Sequence, residues 1–372
     1  MSEPFHWTQE HEEFRGVLRK LTGSRAALAD APGPRAGGER ERELWLVWAA
    51  ELGLPGLVVP EEHGGAGFTR LEVAIAAEEL GRAVLGGPLF ASAVLATEAL
   101  LAAGPDAEVL PALAAGTSVA ALAVAETPGD WHTVHTAVAP GDRLTGVKEA
   151  VLGAADADVF VVVAAEDATE DGETDGGTSV FLVEAGAGVE VEPLRVLDPT
   201  RPMARVRLTD APARRIGPPG AGRAAVERAL EAGAVFLAAE QVGGSRALLA
   251  AAVEHATTRV QFGRPIGAFQ AVKHTLADMA VRTELGAAAA SWAAWQEPGT
   301  EAARLGAAVA RAHCSDAYLT TALDAIQVHG GMAITWEHHA HRYLRRARAD
   351  RAVLPGPAEQ RRLLETMIGT GV

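Results

Sequence analysis

Between residues 223 and 348, apolar residues recur at helical spacing in four stretches, 223–259, 270–295, 300–329 and 337–348, with only short turns between them. Long amphipathic helices joined by short turns bury their apolar stripes by packing side by side, which predicts an antiparallel bundle. Three further stretches keep the same period, around 41–52, 70–81 and 90–103, punctuated by Gly, Pro and Asp. Between these helical regions the pattern changes to short β-rich runs at 119–124, 134–138, 159–164, 179–183, 189–193 and 204–208. The expected fold is mainly α with a β middle domain. An N-terminal helical domain spans 1–117, a small antiparallel β-barrel or sandwich 118–216, and a C-terminal four-helix bundle 222–372. Segment 166–178 is acidic and Gly-rich and reads as a hairpin tip.

At 372 residues the chain exceeds what one core usually serves, which fits two or three domains. A formal charge of −15 disfavours nucleic acid and anionic membrane surfaces. The main basic run, Arg342, Arg345, Arg346, Arg348 and Arg351, reads as a solvated helix face. Cys314 is the single cysteine, so neither an internal disulfide nor a thiolate zinc site can form within the chain; a small buried hydrophobe is the expected role. The sequence starts without the basic and apolar segments of a signal peptide, and no apolar run is long enough to span a bilayer. A cytoplasmic protein is expected. His338, His339 and His341 cluster without a carboxylate or cysteine at metal-ligand spacing, so they read as a solvated turn and no metal is expected.

Four segments carry chemistry. They are V-V-P-E-E-H-G-G-A-G-F at 58–68, A-E-T-P-G-D-W at 125–131, T-R-V-Q-F-G-R-P-I-G-A-F-Q-A-V-K-H-T-L-A-D-M at 258–279, and Q-V-H-G-G-M-A-I-T-W-E-H at 327–338. The third and fourth resemble the most diagnostic stretches of the acyl-CoA dehydrogenase family, with Ala333 where that family more often has Gly. The second resembles a divergent form of the family's flavin-side loop. The resemblance covers nearly the whole chain in domain order.

The resemblance implies FAD as cofactor. FAD presents a planar ring and a doubly anionic pyrophosphate, which call for aromatic walls, backbone donors and a cation. By family analogy Arg259 pairs with the pyrophosphate, Phe262 packs by the adenosine and Gln270 hydrogen-bonds the dinucleotide, all across a subunit interface. Gln327 can donate or accept, while Gly330 and Gly331 let backbone N–H groups approach phosphate oxygens.

The implied reaction is α,β-dehydrogenation of an acyl-CoA thioester, in which a carboxylate takes the α proton and the flavin accepts hydride from the β carbon. Many members carry that base in a Y-E-G-T turn, where this chain has A-V-L-P-G-P and Leu354 at the glutamate position. Other members carry it on the first helix of the bundle. There Glu240, set in V-F-L-A-A-E-Q-V-G-G, is the candidate base, with Gly243 and Gly244 able to admit a substrate; Glu227, Glu231 and Glu254 read as surface charge. A buried structural carboxylate is the alternative for Glu240.

A bulky or branched acyl-CoA, or an acyl chain on a carrier protein, is the implied substrate, with electrons passing to an electron-transfer flavoprotein. The L-P-G-P ending and the early Glu resemble a subset acting on steroid side chains, often built from two homologous subunits. Ala150 and Leu152 occupy places where the family often has flavin-contacting Trp and Thr. Two other readings therefore stay open: a partner subunit that completes a homologue's site, and a flavin oxidase or monooxygenase on the same scaffold.

Overall fold

A computed structural model describes residues 7–26, 39–106, 108–139, 141–166 and 177–369; most of the acidic hairpin tip, from 167 to 176, lies outside the described residues. In chain order the helices are α1 (Gln9–Ala26), α2 (Glu39–Leu52), α3 (Arg70–Ala83), α4 (Thr97–Ala103), α5 (Leu110–Ala114), α6 (Gly222–Thr258), α7 (Gln270–Ala294), α8 (Glu301–His329), α9 (Ala340–Val353) and α10 (Pro357–Met367). The strands are β1 (Ala120–Ala123), β2 (Ala137–Ala139), β3 (Arg143–Leu152), β4 (Val159–Ala165), β5 (Thr178–Glu184), β6 (Val189–Pro193), β7 (Met203–Pro212), β8 (Arg214–Ile216), β9 (Val260–Gln261) and β10 (Arg264–Pro265). The chain divides into two compact units that do not follow the sequence-based bounds. One takes Met1–Pro32, Arg70–Leu85 and Ala234–Val372; the other takes Gly33–Thr69 and Gly86–Gly233.

The second unit holds β1 to β8 in one sheet, ordered β6-β7-β3-β2-β4-β5-β8, with β1 beside β4. No barrel closes, and the sheet is mixed: β1 and β2 both run parallel to β4, against residues 159–162 and 165 respectively. Because β5 occupies the other edge of β4, β1 and β2 share one edge, and the A-E-T-P-G-D-W loop is an excursion between them. The inward faces of the strands carry Leu144, Phe160, Val162, Phe181, Val206 and Leu208 into one core. Ahead of β1 the chain forms a π-helical stretch, Leu89–Ala96, whose Ser92 Oγ accepts from the Ala120 amide at 2.9 Å and so ties it to the sheet.

In the first unit α8 is the central helix, packed by α7, α9 and α10, while α1 packs on α3. Thr300 caps α8, its Oγ1 accepting from the Ala303 amide at 3.1 Å. α3 crosses α6 at glycines. A Cβ on Gly81 would stand 2.0 Å from the Glu240 carbonyl oxygen, and one on Gly243 would stand 1.8 Å from that of Glu78. Gly244 makes room for the Tyr318 ring, 2.6 Å from where its Cβ would be. These glycines therefore receive α3 and Tyr318, which corrects the expectation that Gly243 and Gly244 open the helix to substrate. No helix among the described residues is long and apolar enough to cross a membrane.

Candidate functional site

The R-V-Q-F-G-R-P-I-G-A-F-Q segment forms the corner between α6 and α7. β9 and β10 pair antiparallel with Gln261 opposite Arg264, which leaves Phe262 and Gly263 as a two-residue turn. Their φ values, 54° and 75°, are those of a type I′ hairpin. Glycine adopts this without cost, whereas a left-handed phenylalanine stores about 1–3 kcal/mol of strain. The Phe262 ring is 88% exposed and meets Phe269 edge-on at 6.0 Å. Arg259 and Gln270 bracket the hairpin; both are exposed, and neither side chain has a hydrogen bond or ion pair among the described residues.

The Q-V-H-G-G segment ends α8, its two glycines opening the turn that follows. Gly330 has φ 65°, and no atom lies within 4 Å of a Cβ built on Gly330 or Gly331, so the space over this turn is open. Gln327 is exposed, with no side-chain partner among the described residues. Imidazoles join this turn to the hairpin: His255 stacks on His329 at 4.7 Å between centroids, and His338 meets His329 at 4.6 Å with its ring tilted by 56°. His255 precedes Arg259 by one turn and His329 follows Gln327 by two residues, so the stack sets the two motifs side by side. His338 thus belongs to a packed ladder and not to the solvated turn expected from sequence. The His255 and His329 roles were missed because the two rings meet from segments far apart in the chain.

An unpaired guanidinium, two free amides, an outward aromatic ring and an uncovered glycine turn make a donor set that fits an extended anionic dinucleotide. A single chain leaves every one of these groups facing solvent.

Glu240 lies on α6 in the same unit and is 3% exposed. Arg346 from α9 donates through Nη1 to its Oε1 at 2.5 Å and through Nη2 to the Leu85 carbonyl at 3.3 Å. Glu240 is therefore an ion-paired carboxylate. Its partner comes from the basic run read as a solvated face, and that expectation is corrected: Arg346 is buried, and Arg351 pairs with Asp316. Leu354 is buried just beyond α9. Cys314 is buried, and burial pushes its thiol up to about 12, which leaves it inert.

In the other unit, Glu126 of the A-E-T-P-G-D-W loop accepts from the Thr136 and His135 amides, the Thr136 hydroxyl and the Lys148 ammonium, the last at 2.7 Å. Burial lowers Lys148 to about 8 against the pull of Glu126. Burial opposes the Glu126 carboxylate, but the Lys148 charge and the hydrogen bonds outweigh it and hold the group below the usual carboxylate range. Two residues on, Ala150 takes φ 51° where the β3–β7 register shifts, a bulge that redirects the strand. Glu231, expected at the surface, is buried in this unit.

A family model described as "Acyl-CoA dehydrogenase, C-terminal domain" matches residues 220–364, and one described as "Acyl-CoA dehydrogenase, N-terminal domain" matches residues 8–117. Acyl-CoA dehydrogenase IpdE2 of Mycobacterium tuberculosis is 34% identical over 361 residues, covering 96% of this chain and 98% of the relative. Among solved structures, PigA with FAD and proline is 25% identical with a TM-score of 0.86, covering 99% of both chains. The Tcur3481-Tcur3483 steroid ACAD is 27% identical with a TM-score of 0.82, covering 98% of both.

Proposed function

The chain belongs to the acyl-CoA dehydrogenase family, and on that premise we propose that it serves FAD-dependent α,β-dehydrogenation of an acyl thioester. What supports this role above all is the set of unpaired, solvent-facing groups on the two turns joined by the His255–His329 stack. Arg259 would neutralise the pyrophosphate, Phe262 would cover the adenosine, and Gln270, Gln327 and the Gly330–Gly331 backbone would supply hydrogen bonds. FAD, when bound, supplies the hydride acceptor. PigA, a relative of the same fold, holds FAD.

The α proton requires a base. Glu240 is the carboxylate this chain offers, and to act it must give up Arg346, a buried pair whose breakage costs about 3–5 kcal/mol. That pair, with Leu354 at the other base position, favours a second form of the role: a subunit that completes the site of a homologous catalytic partner. The two-component name of the steroid relative is in keeping with it. A bulky or branched acyl-CoA, or the same acyl group on a carrier protein, is the substrate class, and an electron-transfer flavoprotein the acceptor.

The test is to purify the chain alone and with a homologous subunit, record the flavin spectrum, and add acyl-CoA without oxygen. Bleaching of bound flavin by acyl-CoA is expected. No flavin in either preparation, or bleaching by a reduced nicotinamide and not by acyl-CoA, would overturn the role. Glu240→Gln then locates the base: selective loss of turnover with unchanged thermal midpoint assigns it to Glu240. We expect instead a lowered midpoint, the consequence of stranding Arg346.

A further inference from the structure

We propose that His255, His329 and His338 form a clamp that holds the Arg259 hairpin and the Gln327 turn in register for a dinucleotide, and that the clamp opens when His255 and His338 take up protons. The proposal rests on the cofactor half-site described above.

Three rings from three segments stand in one ladder, at 4.7 and 4.6 Å, at the point where both turns leave their helices. The central ring, His329, is 8% exposed, and its Nδ1 lies 2.7 Å from the Ala325 carbonyl oxygen. A carbonyl accepts, so Nδ1 carries the proton and Nε2 the lone pair. His338 is fixed in turn: its Nδ1 accepts from the Ala340 amide at 3.2 Å. Contact between neutral rings holds the ladder, and a second positive charge within it repels the first.

The charged groups around the ladder oppose protonation. Burial, His329 and then Arg259, just past the end of α6, hold His255 below the ordinary histidine value. Burial, His329, His339, His255 and His341 do the same to His338. The neighbouring His341, set edge-on against Trp336, is lowered first by burial and also by Arg342 and Arg345. Among the described residues no carboxylate acts on His255, and neither His329 nor Arg259 compensates an imidazolium there.

The sign follows from linkage. With folded-state values below the ordinary 6.5, the separated segments bind more protons than the closed ladder. Closure is therefore fully favoured above the ordinary value and is lost as the pH falls through and below it. Arg259 is carried out of place by the same event, because its amide is bonded to the His255 carbonyl at 2.9 Å.

Two measurements on the full-length chain test this. The first is hydrogen exchange of the flavin-free protein, corrected for intrinsic rates, at pH 8 and pH 5.5. Peptides covering 255–270 and 327–339 should lose protection at the lower pH while α7 keeps its own. Equal protection at both values overturns the clamp, and no variant is needed to see it. The second is the FAD dissociation constant, read by flavin fluorescence, for the wild type and for His255→Phe with His338→Phe, which keeps a ring at both positions but removes the protons that drive opening. Wild-type affinity should weaken by about tenfold over that pH range, equivalent to a one-unit proton coupling, and the double variant should be nearly flat. A wild-type pH dependence that persists in the double variant overturns the clamp. Absence of FAD binding at every pH, with exchange still pH-dependent, would sink the cofactor reading and leave the clamp standing.

Discussion

At Phe262 the chain holds a bulky side chain at φ 54° and presents it almost wholly to solvent. Within the unit that carries it the ring gains only the edge-on contact with Phe269, and asparagine would fit a type I′ turn better. Strain of this kind persists where a residue serves something outside its own fold. Phe262→Asn should therefore raise the stability of the isolated chain by about 0.5–1 kcal/mol in denaturant unfolding, from relief of part of that strain. The same variant should bind FAD, or the partner that shares it, at least several-fold more weakly. Lower stability together with unchanged flavin affinity would show that the ring is ordinary packing. Arg259 and Gln270 carry no such signature of their own; their assignment depends on standing either side of this turn.

Among elements, the α3–α6 crossing shows what sequence does and does not reveal. The helical period of α6 is legible because it repeats within one segment, but the reason for Gly243 is a carbonyl of Glu78 on another helix. Gly243→Ala would drive a Cβ to 1.8 Å from that oxygen, a helix-on-helix clash that a side-chain rotation cannot relieve. The expected result is a loss of about 1–3 kcal/mol or more in urea unfolding, where an exposed helical Gly→Ala would stabilise by up to about 1 kcal/mol. A stabilised Gly243→Ala protein would mean that the helices are not in contact there. The same distinction runs through the site. Arg259, Phe262, Gln270 and Gln327 could be picked from sequence because each sits in a contiguous motif. The Glu240–Arg346 pair could not, since its partners are 106 residues apart and Arg346 is one of five similar arginines. Strand β3 escaped notice because Arg143, Lys148 and Glu149 break its alternation, and Lys148 is buried because Glu126 and the Val124 and Val163 carbonyls meet its ammonium. The shared edge of β1 and β2 needed the register of β4, which no local pattern carries.

For the whole molecule, the open groups of the two turns are accompanied by exposed apolar side chains that solvent alone does not favour. Val281 and Leu285 lie one turn apart on the same face of α7, both more than half exposed, and Ile334 and Trp336 project after the Q-V-H-G-G turn. Met279, Thr283 and Gly286 on the same stretch of α7 are buried, so the helix keeps its anchor if the outer face is changed. A chain that leaves both a cofactor set and this face uncovered is built to work beside a second subunit, either its own copy or a homologue. Fully burying one such side chain is worth about 1.5–3 kcal/mol, so Val281→Glu with Leu285→Glu should abolish a typical association. The assembly is expected to fall to a lower mass in sedimentation, with circular dichroism unchanged and bound flavin lost, because FAD would then meet one half-site only. Dissociation with flavin fully retained would show that one chain holds the cofactor by itself, and the Arg259 and Gln327 turns would then need another occupant.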